Sequence, residues 1–140
     1  MANNYSAFYK DFAHSPSKLK ATTNALKHQF PNRTLIACME LHTFSSLNSE
    51  FLKLYFKSMV AADVAYVYYN IETIKHKKLE NIDEKDVYNA FGTSNLKVFT
   101  SSKDLQDQLF SQNWDNSNLL MMSSGNFDGL DFDNIAKNIF

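Results

Sequence analysis

The sequence predicts an α/β fold in three layers, a Rossmann-like domain with a mostly parallel sheet of about five or six strands and helices on both faces. Two observations favour this class. Segments with strand patterns alternate with segments of helical spacing throughout the chain. Residues 33–39 form a nearly continuous apolar run, which is typical of a strand buried on both faces. The 140 residues have the size of one domain, which we expect to span 1–140.

The first half of the chain supplies three strands and two helices. An aromatic-rich strand over 5–12 is followed by a serine cap and Pro16, which begin a helix that ends near Gln29. After the buried strand and a polar loop, apolar residues at helical spacing predict a helix over 51–60. A third strand follows over 63–69.

The second half continues the alternation after one ambiguous stretch. Residues 70–81 fit neither pattern clearly and carry a basic patch, Lys75–Lys78, which we interpret as solvated surface. A short helix over 83–91 ends at Gly92, a residue suited to a helix C-terminus. The remaining predicted elements are a strand over 96–100, a helix from 101 to about 110, a strand over 118–122 and a closing helix over 131–140.

Composition excludes several classes of function. Three glycines and two prolines are few, since average usage gives roughly ten and seven. Neither the phosphate loop G-x-x-x-x-G-K-[ST] nor the dinucleotide fingerprint G-x-G-x-x-G is present. A net charge of −1 without a basic tail gives no support for nucleic-acid binding. A lone cysteine, Cys38, and the lack of a long apolar run predict a cytoplasmic protein with no membrane partner.

Polar side chains follow three of the predicted strands. Asp11 and His14 come after the first strand, His42 follows the second, and 123–129 (SSGNFDG) follows the last. Because ligands bind parallel α/β sheets outside the carboxyl ends of the strands, these loops form the predicted site. Each residue alone also fits a structural role, such as a turn or a helix cap. The prediction therefore depends on the three loops meeting at one edge.

Two other chemistries have weaker support. Asp11, His14, Glu40 and His42 are possible metal ligands by type, but no tight spacing of two histidines accompanies them. A serine hydrolase would need a nucleophile elbow such as G-x-S-x-G, which the sequence lacks. We therefore predict neither a metal site nor a catalytic nucleophile.

Three segments resemble a known family. Residues 9–22 (YKDFAHSPSKLKAT) resemble the D-[YF]-[AG]-H-x-P segment that opens the C-terminal domain of Mur ligases, the ATP-dependent amide-forming enzymes of peptidoglycan synthesis. Residues 35–37 (LIA) with 42–45 (HTFS) resemble the next strand and loop of the muramate–alanine ligase branch. Residues 119–130 (LLMMSSGNFDGL) resemble the M-S-N-G-x-F-G-G segment of the recycling branch, which joins UDP-N-acetylmuramate to L-alanyl-γ-D-glutamyl-meso-diaminopimelate.

The resemblance implies that the chain is one domain of a three-domain enzyme. An N-terminal domain would bind the UDP-sugar, and a central domain would carry the phosphate loop and Mg²⁺ ligands. The C-terminal domain would close over ATP and bring the incoming peptide, whose amine attacks an acyl phosphate of the sugar acid. ATP and Mg²⁺ are therefore expected in the full-length ligase, with neither bound by this domain alone. By itself the domain is expected to be inactive.

The resemblance also implies roles for individual residues. Asp11 and His14 would contact the nucleotide. The substrate-binding set would comprise His42, Thr43 and Ser45 after the second strand, and Ser123, Ser124, Gly125 and Asn126 after the last. No residue of this chain is implied in covalent chemistry.

The chain departs from both branches of the family. Ser46 stands where the alanine-adding branch usually has arginine, and 40–44 (ELHTF) replaces the E-P-R-S-N loop of the recycling enzymes. The Asp-Asn-Pro-Arg signature of the diaminopimelate-adding ligase is absent. The recycling ligase is the preferred prediction. Two alternatives stay open: the UDP-N-acetylmuramate–L-alanine ligase, and a freestanding nucleotide- or peptide-binding module without catalysis.

Overall fold

A computed structural model describes residues 6–42, 48–76 and 82–139. Strands and helices alternate in the predicted order. The strands are β1 (Ala7–Asp11), β2 (Thr34–Glu40), β3 (Val64–Tyr68), β4 (Leu96–Phe99) and β5 (Ser117–Met122). The helices are α1 (Pro16–Gln29), α2 (Ser49–Leu52), α3 (Ile71–His76), α4 (Glu84–Phe91), α5 (Ser102–Ser111) and α6 (Phe132–Ile139).

The five strands form one parallel sheet in the order β1-β5-β2-β3-β4. The last strand therefore lies between the first two, with Asp11 opposite Met122 and Met39 opposite Met122 in register. Every residue of β5 is buried, as are all but the first of β2. The predicted parallel α/β sheet with helices on both faces is confirmed.

Side chains alternate across the sheet and form a separate hydrophobic core on each face. On β2, Leu35 and Met39 belong to the core under α1 and α4, whereas Ile36 and Cys38 belong to the core under α5 and α6. We call these two sides the α1 face and the α6 face. Burial raises the pKa of the Cys38 thiol far above its ordinary value, because no charged group compensates for desolvation of the thiolate. Cys38 is therefore a core residue.

Local sequence signals set the ends of the shorter helices. Asp83 and Asp86 form a reciprocal capping box at the start of α4. Gly92 ends that helix with φ +61°, a left-handed conformation that favours glycine. An added Cβ at Gly92 would also meet the exposed ring of Phe56, which would have to move aside.

An ion pair ties the amino end of the sheet to α1. Lys27 Nζ lies 2.8 Å from Asp63 Oδ2, and the same oxygen accepts the Leu35 N–H at 2.7 Å. Burial alone would raise the pKa of Asp63, but the Leu35 N–H and the Lys27 ammonium together hold it below its ordinary value.

The helix predicted over 51–60 is wrong beyond its first turns. The structure has only the single-turn α2, followed by a 3₁₀ turn over Lys53–Tyr55. The backbone leaves the helical region at Phe56, which has ψ 122°, and Lys57 has φ +61°. The Lys57 N–H then bonds the Phe91 carbonyl instead of a helical partner. Of the apolar positions that suggested the helix, Leu52, Tyr55 and Met59 are buried, whereas Phe56 and Val60 are exposed. Tertiary packing thus overrides the helix.

The chain segment that follows β5 crosses to one face of the sheet, whereas the segments that follow its neighbours β1 and β2 cross to the other face. The chain passes from β1 into α1 and from β2 towards α2, both on the α1 face, whereas β5 leads into α6 on the other face. Loops that diverge from adjacent parallel strands open a crevice between them. The fold therefore places two crevices at the carboxyl ends of β1, β5 and β2.

Candidate functional site at the carboxyl edge of the sheet

The described site residues lie together at the carboxyl ends of the three strands that flank the crevices. Asp11 ends β1, His42 lies two residues beyond β2, and 123–126 follow β5. The Ser123 N–H donates to the Asp11 carbonyl at 3.1 Å, which joins the first and last loops directly. Thr43 and Ser45 lie outside the described residues, as do Lys77 and Lys78 of the basic patch. The predicted meeting of three loops is thus seen for their described parts.

On the α1 face, Asp11 and His14 border a shallow groove of about 300 Å³ with Phe12, Ala13, Lys18, Ala21 and Thr22. Asp11 Oδ1 accepts the Ala13 N–H at 2.8 Å, which fixes the turn and leaves Oδ2 without a partner among the described residues. His14 Nδ1 donates to the Phe12 carbonyl at 2.8 Å, because a carbonyl can only accept. Its Nε2 is then the nitrogen available to a ligand.

A buried tyrosine holds this groove from beneath. The hydroxyl of Tyr55 donates to the His14 carbonyl at 2.6 Å, and its ring stacks on Phe91 with centroids 5.1 Å apart. Burial raises the pKa of Tyr55 well above its ordinary value, so the hydroxyl stays protonated as a donor. The turn that carries His14 is thereby fixed to the helix layer.

On the α6 face, a second cavity of about 370 Å³ lies between β1 and the loop after β5. We call it the α6-side cavity. Its apolar wall consists of Phe12, Met121, Phe127 and Phe132, and its polar groups come from Lys10, Asp11, Ser123, Gly125 and Asn126. An apolar pocket with a few placed polar groups is the usual form of a small-molecule site. Asp11 and Phe12 border both spaces, so the two form one continuous edge.

Glu40 organises the loop that closes this cavity. Its side chain is 2% exposed, and Oε1 accepts the Ser123 hydroxyl at 2.7 Å and the Phe127 N–H at 2.9 Å. Ser123 Oγ in turn accepts the Gly125 N–H at 2.8 Å. A buried carboxylate is costly unless its hydrogen bonds are satisfied, and here three loop groups are linked through it.

His42 contacts the same loop from the β2 side. Its Nδ1 lies 3.7 Å from Glu40 Oε2, and its ring packs so closely on Gly125 that an added Cβ would lie 3.0 Å away. The imidazole side chain is about half exposed, at 49%. Gly125 is therefore needed for this close approach, and His42 joins the loops after β2 and β5.

The end of the last loop is held from β3. Asp128 accepts hydrogen bonds from the Tyr68 hydroxyl and, at 3.1 Å, from Asn70 Nδ2. Burial, and then the Asp128 carboxylate, raise the pKa of Tyr68 above its ordinary value. Phe127 and Asp128 both have positive φ, 55° and 56°, so the loop is in a conformation that these contacts must maintain.

Sequence reasoning missed part of this machinery. The sequence indicated Glu40 only as a possible metal ligand, and it gave no indication of a role for Tyr68. The available signal for Glu40 was a carboxylate placed directly after a continuous apolar strand, where an unpaired charge is unfavourable. No sequence signal indicates that Tyr68 reaches Asp128, since this contact depends on the order of strands. In the described part of the chain, no three His, Cys, Asp or Glu side chains come together as a possible metal site.

The fold of this α/β domain matches that of solved Mur ligase domains. A murein peptide ligase from Psychrobacter arcticus matches with a TM-score of 0.74 and 19% identity, over 97% of this chain and 28% of that one. A domain of a candidate UDP-N-acetylmuramate:L-alanyl-γ-D-glutamyl-meso-diaminopimelate ligase from Haemophilus ducreyi matches with a TM-score of 0.62 and 19% identity, over 98% and 94% of the two chains. The fold is that of these domains.

In sequence, the chain is similar to UDP-N-acetylmuramate–L-alanine ligases. It is 27% identical to that of Leuconostoc mesenteroides over 125 residues, which are 87% of this chain and 26% of the relative. It is 30% identical to that of Limosilactobacillus reuteri over 97 residues, 69% of this chain and 22% of the relative. The predicted resemblance to Mur ligases is confirmed, and the chain spans about a quarter of these relatives. No family model matches the chain.

The described residues fit part of a nucleotide but no metal ion. Asp11 Oδ2 and His14 Nε2 are free to bond ribose hydroxyls, and the α1-side groove is shallow and open. No cluster of carboxylates able to hold Mg²⁺ occurs in residues 6–42, 48–76 and 82–139. Within those same ranges, no helix is long and apolar enough to cross a membrane.

Proposed function

We propose that this chain acts as the C-terminal domain of an ATP-dependent muropeptide ligase that joins UDP-N-acetylmuramate to the tripeptide L-alanyl-γ-D-glutamyl-meso-diaminopimelate. The observation that carries the proposal is the shared edge: the α1-side groove and the α6-side cavity meet at Asp11 and Phe12. A nucleotide on one side and a peptide on the other would thereby be held next to each other. The partners would be N-terminal and central domains of the same cytoplasmic ligase.

The contribution of this domain would be positional. ATP, when bound in the complete ligase, would supply the phosphoryl group that activates the carboxylate of the sugar acid. Asp11 and His14 would orient the ribose through hydrogen bonds. The loop 123–126 would bind the incoming peptide with hydroxyl, amide and backbone N–H groups, while Phe127 and Phe132 exclude water beneath it. Fixing the amine near the activated carboxylate lowers the entropic part of the barrier.

The sequence relatives favour a second candidate, the UDP-N-acetylmuramate–L-alanine ligase, because the curated proteins named above have that activity by name. Assays of a ligase that contains this chain, with alanine and the tripeptide offered separately, distinguish the two. Efficient use of the tripeptide with poor use of alanine supports the proposal. The reverse preference replaces it with the second candidate.

The module alternative is tested by the gene itself. We expect about 300 codons upstream in the same reading frame, including a G-K-[ST] phosphate loop, since each further domain has about 100–200 residues. A reading frame confined to these 140 residues would favour a binding module. ATP hydrolysis by the purified 140-residue chain would contradict the expectation that it is inactive alone.

The nucleotide role has its own test in the complete ligase. Asp11→Ala removes the carboxylate that would bond the ribose, and we expect a higher KM for ATP with an unchanged KM for the peptide. Asn126→Ala, in the loop after β5, should raise the KM for the peptide and leave the KM for ATP unchanged. Equal effects of both variants on both substrates would contradict the division of the edge into a nucleotide side and a peptide side.

A further inference from the structure

One lysine at the α6-side cavity has no charged partner among the residues that the structure describes. Lys10 lies in β1 two residues after Phe8, and both side chains project from the α6 face. Its Nζ lies 5.0 Å from the centroid of the Phe132 ring and borders the cavity. In the part of the chain that the structure describes, Lys10 forms no ion pair and no hydrogen bond.

The neighbouring carboxylate forms no ion pair with this cation among the described residues. Asp11 follows Lys10 in the strand and therefore points towards the opposite face, where its Oδ1 accepts the Ala13 N–H. The Phe132 ring beneath the ammonium favours a positive charge at this point without consuming its N–H donors. Within the described ranges, Lys10 is thus a positioned cation whose three N–H donors have no protein acceptor.

A second donor lies across the same cavity. Asn126 Oδ1 accepts the Gly129 N–H at 3.1 Å, which fixes the orientation of the side-chain amide. Asn126 Nδ2 then has no partner among the described residues and is left to donate. Two donor groups, one of them charged, therefore border a cavity whose remaining wall is largely aromatic. This combination suits a carboxylate attached to an aliphatic body.

We propose that Lys10 binds a carboxylate of the incoming peptide in the α6-side cavity, with Asn126 as the second donor, and so selects for acidic peptides. The inference rests on the proposed function, since it names the group that recognises that substrate. It assigns a specificity role to a residue outside the three loops at which the site was predicted.

The test is a titration of the ¹⁵N-labelled 140-residue chain with the tripeptide, followed by NMR at the amides of Gly125 and Asn126. Lys10→Met keeps the length of the side chain and removes its charge. Because the side chain is exposed, we expect about fivefold weaker binding, equivalent to about 1 kcal/mol. Lys10→Arg should stay within about twofold, since it retains the positive charge.

The chain offers a matched control on the opposite edge of the sheet. Lys97 in β4 is also exposed, and its Nζ lies 5.3 Å from the centroid of the Phe99 ring. Lys97→Met should leave peptide affinity unchanged. A fully amidated tripeptide should bind the wild type and Lys10→Met equally, because it lacks the carboxylates.

The outcomes separate the two proposals. If the wild type shows no response to the tripeptide, the proposed peptide-binding function fails and the inference falls with it. If the wild type binds and Lys10→Met binds equally well, only the inference is overturned. A titration with ATP tests whether Lys10 binds a phosphate instead of a carboxylate. If Lys10→Met weakens ATP binding but leaves tripeptide binding unchanged, the carboxylate assignment is wrong.

Discussion

Replacing Glu40 tests whether one buried carboxylate holds the loop that follows β5. In Glu40→Ala, the buried Phe127 N–H and the Ser123 hydroxyl both lose their acceptor. A buried polar group left unsatisfied costs about 1–3 kcal/mol. The Ser123 hydroxyl oxygen still accepts the Gly125 N–H, so we assign the lost Ser123 bond the lower value of this range, about 1 kcal/mol, and the Phe127 N–H about 2 kcal/mol. The free energy of unfolding should therefore fall by about 3 kcal/mol.

Glu40→Gln separates hydrogen bonding from charge. The Gln carbonyl oxygen can accept the same two hydrogen bonds, so only the charge-assisted part of each is lost. We expect a destabilisation of about 1 kcal/mol, a third of the alanine effect. Glu50→Ala, at an exposed carboxylate in α2, is the matched control and should stay within about 0.5 kcal/mol of the wild type.

Urea unfolding followed by the fluorescence of the single tryptophan, Trp114, measures all three variants, because this residue is buried in the α6-face core. Hydrogen exchange at the Gly125 and Phe127 amides provides the local readout and should accelerate most in Glu40→Ala. If the Ala variant is as stable as the Glu50→Ala control, or if Gln and Ala are equally destabilising, Glu40 does not organise the loop through its acceptor oxygen.

Three further changes test the supports around the site. Gly92→Ala should cost about 1–2 kcal/mol, because its positive φ disfavours alanine and the new Cβ meets Phe56; in a Phe56→Ala background, denaturant unfolding should show a smaller loss, and an equal loss would exclude the steric part. Tyr68→Phe removes the hydrogen bond to Asp128 and should cost about 1 kcal/mol while broadening the Asp128 amide signal; an unchanged spectrum would refute this anchor. The pKa of Asp63 is lowered in the folded state, so its contribution to stability is present above the unfolded pKa and disappears as pH falls through the folded value. Asp63→Asn should therefore destabilise the protein at neutral pH and flatten the acid limb of its stability profile, and an identical pH dependence in both proteins would contradict this.

The fold could be predicted from sequence because its signals are local and repeated. The continuous apolar run of β2 and the cap-and-proline start of α1 each identify an element without knowledge of its neighbours. The helix over 51–60 failed for the opposite reason. Its apolar spacing is real, but the turn at Phe56 depends on contacts with Phe91 and Gly92, which are distant in sequence. Spacing alone cannot distinguish a continued helix from a packed turn.

The site was predictable to the level of loops and no further. Parallel strands bring their carboxyl ends to one edge, so Asp11, His42 and Ser123 could be placed together without a structure. The contact of Glu40 with Phe127 could not, because it requires β5 to lie beside β2, and the sequence does not specify that order. The separation of the α1-side groove from the α6-side cavity also depends on this strand order, so the sequence did not predict it.

The insertion of β5 between β1 and β2 is what makes this edge suitable for two ligands. Had β5 paired outside β4, its loop would lie far from Asp11 and the two spaces would not share a wall. In the observed order, the Ser123 N–H bonds the Asp11 carbonyl and Glu40 bonds the Ser123 hydroxyl. The loops after β1 and β5 are therefore joined by one backbone hydrogen bond, and Glu40 supports the second of these loops. Glu40→Ala removes this support and leaves the bond between the loops in place, so in a complete ligase it should raise the KM for the peptide more than Glu40→Gln does.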